Sequence, residues 1–256
     1  RHFTSVLLAL LAWHGVSAQT FVHPTATVPT NALLFNGQNA QSVEAPEVAP
    51  SPFNADQALT VEVWVNVSSW TQRYQALVTK GEAWGIVRAD DKPTVSFRTA
   101  LPGQPGAYDD LESTVVLPLN KWNHVVADWT GSRKKLVING EIVADAPYTG
   151  GLVSNNHPVM IGSNAQNPNR TLQGTVDSVR IWAVARSEAE LAQYRLETLR
   201  GSELGLLADW RFNEASGAVA QDGSAGQRHG ALRVGKSGSG TLVAPQRVNG
   251  LLFAPP

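Results

Sequence analysis

The residues in this chain that could do chemistry are few and dispersed. Asp109-Asp110-Leu111-Glu112 is the densest acidic cluster. It lies in the stretch 101–112, which Pro102, Gly103, Pro105 and Gly106 mark as a long loop. Hydrolysis of a glycosidic bond needs two carboxylates held at a fixed separation across the scissile bond, and a loop cluster with this spacing does not supply that. Glu188 and Glu190 fall on a predicted helix and read as capping and solvated. His124, between Trp122 and Trp129 in an apolar run, reads as a structural histidine, and His157 and His229 fall in loops. No Gly-x-Ser-x-Gly elbow and no cysteine is present, so neither common nucleophile arrangement is encoded. No pair of histidines has the spacing of a zinc site.

Binding chemistry is better represented. A sugar presents hydroxyl groups to amides and carboxylates and C–H faces to planar side chains. Tyr108, Asp109 and Asp110 in one loop, and Asn164, Asn167, Asn169 and Arg170 in another, offer that mixture. Trp70, in the polar stretch Ser68 to Arg73, is a candidate platform. The same Asn and Asp residues also suit turn geometry, and both readings stay open from the sequence.

The elements that must hold these loops are strands. Gly174-Thr175-Val176-Asp177-Ser178-Val179-Arg180-Ile181-Trp182 alternates apolar and polar residues, with Asp177 as its irregularity. Leu59 to Val67 is the cleanest strand, with Leu59, Val61, Val63, Val65 and Val67 on one face and Thr60, Glu62, Trp64 and Asn66 on the other. Trp64 on that polar face is a candidate to line a binding surface. Ala32 to Gly37 reads as a strand ending in an Asn-Gly turn. Hairpins are predicted around Gly81 and around Thr130-Gly131-Ser132. Ser187 and Glu190 fit a capping box at the start of one short helix near 187–200, with Gly201 as its stop. These elements predict an all-β, two-sheet antiparallel sandwich.

Four blocks in order carry a family resemblance: Ala32-Leu33-Leu34-Phe35-Asn36-Gly37; Leu59 to Val65; Trp122 to Ala127 with Leu136-Val137-Ile138-Asn139-Gly140; and Gly174 to Trp182. Together they resemble a bacterial laminin G-like domain of the concanavalin A-like jelly-roll superfamily. The resemblance implies a jelly roll with its core at 31–200; the block at 202–235, similar to the lead-in strand of a jelly roll, reads as closing the same sandwich (31–235 in all), with the start of an uncompleted repeat as the alternative. Residues 19–30 read as a linker and 236–256 as a flexible tail. Enzymes on this fold resemble one another in a Glu-x-Asp-x-x-Glu strand, and that motif is absent here. The resemblance also implies one structural calcium ion at the acid matching Asp177, with carbonyls matching Asn36 and Gly37 as partners. The other reading of Asp177 is pairing with an arginine or with backbone N–H groups.

Residues 1–18 have a basic start, an apolar run and a small-residue ending at Val16-Ser17-Ala18, the pattern of a signal peptide cut near Ala18. The expected location is secreted or periplasmic, and the apolar run is too short for a membrane span. Lys and Arg number 20 against 21 Asp and Glu, with no basic run, which argues against nucleic acid as a partner. The expected function is a non-catalytic module binding a glycan or a protein of the cell envelope. Behind it stand a self-associating structural or adhesive protein and a divergent glycoside hydrolase. The oligomeric state is not encoded legibly.

Overall fold

The computed structural model describes residues 31–38, 40–234 and 244–249. The expected signal peptide, the linker and most of the expected tail lie outside the described residues. In chain order the strands are β1 (Asn31–Asn36), β2 (Ser42–Ala45), β3 (Leu59–Ser69), β4 (Ala76–Lys80), β5 (Trp84–Arg88), β6 (Val95–Ala100), β7 (Tyr108–Glu112) and β8 (Asn123–Trp129). They continue with β9 (Arg133–Ile138), β10 (Glu141–Pro147), β11 (Val159–Ile161), β12 (Gln173–Trp182), β13 (Leu206–Trp210), β14 (Val219–Ala220), β15 (Gly230–Arg233) and β16 (Gln246–Asn249). One helix, α1 (Glu188–Tyr194), interrupts them.

Two antiparallel sheets of 8 strands each form a sandwich. The first runs β10-β9-β8-β3-β12-β1-β16, with β13 pairing β12 beyond the end of β1. The second runs β14-β15-β2-β11-β4-β5-β6-β7. This is the expected all-β jelly-roll sandwich. Its core is built by the period-2 alternation read from the sequence. Leu59, Val61, Val63, Val65 and Val67 of β3 face inward with Val125 and Ala127 of β8 and Val176, Val179 and Ile181 of β12. Leu77, Trp84, Ile86 and Phe97 face them from the second sheet.

Two segments differ from the sequence expectation. Tyr108–Glu112, expected within a loop, forms the edge strand β7 and pairs with β6 from Ser96↔Glu112 to Ala100↔Tyr108. Its residues are polar because one face borders solvent, so they carry no apolar alternation to read. Within the expected tail, Gln246–Asn249 pairs with β1 and extends the first sheet.

The block after α1 supplies strands to both sheets, β13 to the first and β14 and β15 to the second. Trp210 and Phe212 are fully buried in the common core. Trp210 lies 6.3 Å from Phe53 between ring centroids, and its Nε1 donates to the Arg228 carbonyl at 2.9 Å. Removing one such aromatic side chain costs roughly 3–5 kcal/mol, and a domain's whole stability is only about 5–15 kcal/mol. Truncation after Gly201 is therefore expected to give insoluble or molten protein with no near-ultraviolet circular dichroism. A soluble fragment that melts cooperatively would show that the later strands are dispensable.

Candidate functional site: a charged cleft on the outer face of the second sheet

Alternation sends every second residue of the second sheet away from the core. Strand register lines these residues up in a row across the whole sheet: Val219, Ala231, Glu44, Met160, Thr79, Gly85, Arg98 and Asp110. Gly85 is the gap in that row. A Cβ placed there would stand 2.9 Å from Thr79 Cγ2 and 3.1 Å from the Val78 carbonyl oxygen. With no side chain at Gly85, the sheet surface dips between Thr79 and Arg98. The dip opens into a shallow depression of about 10 Å³ lined by Glu82, Arg98, Asn164 and Arg170 among others. It encloses room for no more than a water, far below the roughly 300–1,000 Å³ of pockets that enclose a drug-sized ligand, so any larger ligand would lie across its rim.

Arg98 dominates the cleft. Its residue is only 8% exposed. Its guanidinium lies 3.7 Å from the Tyr108 ring centroid and 4.5 Å from that of Tyr74, so aromatic rings cover it. Nη1 donates to Asp110 Oδ2 at 2.5 Å. Glu82, in the turn between β4 and β5, accepts at Oε1 from Asn167 Nδ2 at 2.6 Å and from Arg170 Nη1 at 2.8 Å. Arg170 also lies over the Tyr74 ring at 5.0 Å. Two carboxylates thus meet two guanidinium groups. Burial raises the Asp110 carboxyl above its ordinary value against the opposing charge of Arg98. Burial and the nearby Glu82 charge raise the Tyr108 hydroxyl.

The structure brings Tyr108, Asp110, Asn167 and Arg170, drawn from two separate segments, onto one site. It does not bring the other expected residues there. Asp109, next along β7, points to the opposite face and accepts from Lys134 Nζ at 2.6 Å. Lys134 is 1% exposed and reaches across from the first sheet. Asn164 is buried, and its side chain shapes its own loop: Nδ2 donates to the Gly81 carbonyl at 2.7 Å, and Oδ1 accepts from the amides of Gln166 and Asn167. Asn169 is exposed, with its carbonyl turned to Thr171 Oγ1. Trp70 packs against the core, and Arg88 covers its ring at 5.8 Å. Sequence reasoning missed Tyr74, Glu82, Gly85 and Arg98. The readable signal was Arg98 on the polar face of an otherwise apolar strand.

The outer face of the first sheet is closed at its centre. Trp64 lies on it rather than on a binding surface, and its Nε1 donates to the Arg195 carbonyl at 3.0 Å just past α1. Glu62 Oε2 meets His124 Nε2 at 3.0 Å, and Glu62 Oε1 accepts from Trp182 Nε1 at 2.6 Å. Burial opposes the Glu62 charge, yet His124, Arg180 and Trp182 hold its carboxyl below the usual range. Burial lowers the His124 imidazole in turn. This pair resembles an acid–base couple in composition, but both side chains are sealed beneath the helix segment, and His124 is the structural histidine the sequence suggested.

Asp177 occupies a bulge in β12, between the Val176↔Val65 and Ser178↔Trp64 pairs. It is 5% exposed, and its Oδ2 is buried without a hydrogen-bond partner. That orphaned oxygen is compatible with a cation. The partners implied by the resemblance are elsewhere. Asn36 pairs with Gln173 and the Gly37 amide donates to the Leu172 carbonyl, about 13 Å along the ladder from Asp177 at strand rise. The Asn36 side chain accepts from the Gln38 amide, and the Gly37 carbonyl accepts from Thr171 Oγ1. The residues present do not fit the implied calcium set. Among the described residues no cluster of three or more His, Cys, Asp or Glu side chains is placed to hold a metal ion.

The Laminin_G_3 family model of the concanavalin A-like lectin/glucanases superfamily matches residues 36–192. No curated protein sequence matches the chain. Among solved structures, it is similar to a candidate carbohydrate-binding protein from Bacteroides ovatus ATCC 8483, at TM-score 0.64 and 19% identity over 82% of this chain and 61% of that one. The chain thus spans 61% of that protein's length. It is also similar to a heptameric SAP-like pentraxin from Limulus polyphemus, at TM-score 0.51 and 14% identity over 65% of this chain and 82% of that one. Domain 4 of AbnA, an extracellular arabinanase of Geobacillus stearothermophilus crystallised with arabinotriose, matches at TM-score 0.50 and 17% identity, over 63% of this chain and 75% of that one. At these identities the likeness concerns the fold.

Asp177 carries a pH signature. Burial pushes its carboxyl up to about 7, with only partial relief from Arg180. The folded state therefore holds this proton more tightly than the unfolded chain. The stability contribution is full below about pH 4 and is lost as pH rises towards 7, at up to about 1.4 kcal/mol per unit. Asp177→Asn is expected to match wild type at pH 4 and to exceed it by a few kcal/mol at pH 8, measured by urea unfolding in the presence of a chelator. A difference that does not change with pH would refute this, and a melting temperature raised by added calcium would mark the oxygen as metal-held.

Proposed function

Because the chain belongs to the concanavalin A-like lectin/glucanase superfamily, we propose that it is a non-catalytic carbohydrate-binding module that holds a glycan in the cleft around Arg98. The observation that carries this reading is the cleft itself. Its floor is opened by Gly85, and its walls are lined by carboxylate, guanidinium and amide groups in a row fixed by strand register. Preset polar groups at a shallow depression suit a ligand rich in hydroxyls, since such groups are oriented before the ligand arrives and little entropy is lost in fixing them. The carbohydrate-binding neighbours on the same fold agree with this class of ligand.

The non-catalytic part of the proposal rests on pairing. Asp110 is tied to Arg98 and Glu82 to Arg170, so both carboxylates of the cleft are engaged in holding neighbouring side chains rather than poised for proton transfer. The signal-peptide pattern of residues 1–18 supports export, with the module working at or beyond the cell envelope. Among the described residues no helix is long and apolar enough to cross a membrane.

The test is titration calorimetry, with arabinotriose as the first probe and a glycan array to widen the search. Tyr108→Ala and Arg170→Ala are each expected to weaken binding about tenfold or more, as loss of one specific contact does, while melting within a few degrees of wild type. No reducing sugar should be released from any polysaccharide that binds. Absence of binding across the array, or binding indifferent to both substitutions, would overturn the proposal.

A further inference from the structure

The sequence of β1 occurs twice in this chain. Asn31-Ala32-Leu33-Leu34-Phe35 returns as Asn249-Gly250-Leu251-Leu252-Phe253, and no other segment has the pattern Asn-x-Leu-Leu-Phe. Gly250 to Phe253 lie outside the described residues, but the place their pattern fits is described. That place is the slot beside β12 that β1 fills, paired from Leu33↔Val176 to Asn36↔Gln173.

The slot reads the residues that recur. The Asn31 side chain donates to the carbonyls of Asn213 and Glu214, each at 3.2 Å, and its amide donates to Asn213 Oδ1 at 3.0 Å. Leu33 and Phe35 point inward and are fully buried. Phe35 lies against Gly162, where a Cβ would stand 2.4 Å from its ring, so the absent side chain leaves a socket for that ring. The one mismatch among the five, Gly250 for Ala32, removes a single methyl group. Beyond them the two copies diverge. Gly37 has φ +74°, and its amide donates to the Leu172 carbonyl at 2.8 Å. Pro255 stands at the matching position, with φ fixed near −65° and no N–H to donate. The second copy therefore carries the strand without the turn that leads β1 into β2.

Asn249 faces Asn31 across the β1–β16 pair, but β16 runs antiparallel to β1. To sit as β1 sits, residues 249–253 must leave that edge and reverse direction. Residues 234–248 can span roughly 50 Å when extended, enough to reach a neighbouring molecule. Exchanging an identical element between copies needs no new kind of contact, so it is a low-cost route to association. In dilute solution β1, tethered to its own slot, outcompetes a strand from elsewhere. The exchange gains ground where the chain is concentrated or β1 is weakened.

We infer that residues 249–253 are a spare first strand whose partner is a second copy of this chain: they fill the β1 slot beside β12 of that copy and join the two by strand exchange. This assignment is independent of carbohydrate binding.

The experiment compares the full chain as wild type, Phe35→Ala, Phe253→Ala and the double variant, by size-exclusion chromatography with light scattering across concentrations. Phe35→Ala empties the ring socket and is expected to form oligomers as concentration rises. Phe253→Ala alone should keep the wild-type size and melt within a few degrees of it, and the double variant should lose the oligomers. A labelled peptide of residues 248–254 is expected to bind Phe35→Ala at least about tenfold more tightly than wild type, whose slot is already filled. That binding should vanish when the peptide's own phenylalanine is replaced by alanine. If Phe35→Ala fails to fold, wild type refolded from urea at high concentration takes its place, with oligomers expected from wild type and none from Phe253→Ala. Oligomers indifferent to Phe253, or no oligomers and no peptide binding, would overturn the inference. A monomeric Phe35→Ala whose melting temperature depends on Phe253 would seat the spare strand in its own chain and overturn exchange between copies.

Discussion

A guanidinium group removed from water on the outside of a sheet is the constraint around which the second face of this protein is arranged. Arg98 is nine-tenths buried although it points away from the core. A charge in that position is tolerated only with opposite charge and polarisable surface around it. Those come from four places: Asp110 on the neighbouring strand, Glu82 in the β4–β5 turn, Tyr108 at the start of β7, and Tyr74 in the segment before β4. Glu82 in turn anchors Asn167 and Arg170 of the segment between β11 and β12. One buried cation thus fixes the positions of chain segments that would otherwise be independent, and the cleft between them follows.

The two sheets solve the same problem in opposite ways. Each carries a polar row on its outer face. On the first sheet the row Val126, Glu62, Arg180 and Asp209 is roofed by α1 and the residues after it, with Arg180 donating to the carbonyls of Tyr194 and Glu197. Its polar groups are spent on fastening the helix. On the second sheet the polar row is bounded only by loops. The difference between scaffold and site lies in that roof, since both rows pair arginine with carboxylate and each leaves a guanidinium Nε and a carboxylate oxygen unpartnered.

The architecture was legible because burial writes itself into alternation. The inward valines of β3, the Asn-Gly turns and the Ser187–Glu190 capping box all stand where the sequence placed them. Half of the candidate site was legible for a different reason. Tyr108, Asp110, Asn167 and Arg170 stood out as polar clusters, yet which of them share a face depended on register. Asp109 and Asp110 are neighbours in sequence and point to opposite sides of β7. Gly85 was illegible because its contribution is an absence of side chain, visible only once Thr79 and Arg98 are set on either side of it. Glu82 and Tyr74 were hidden by their isolation in short turns. The calcium set suggested by resemblance failed on register as well, since β1 pairs with β12 so that Asn36 and Asp177 lie at different heights.

The pairing of β16 with β1 has a mechanical consequence. Asn31 and Asn249 sit opposite each other at one end of that antiparallel pair. Tension applied through those two residues would peel the ribbon apart from its free end, breaking its rungs in sequence instead of loading them all at once in shear. The domain would yield first along this seam, while the transverse row that shapes the cleft, on the other sheet, would carry little of the force.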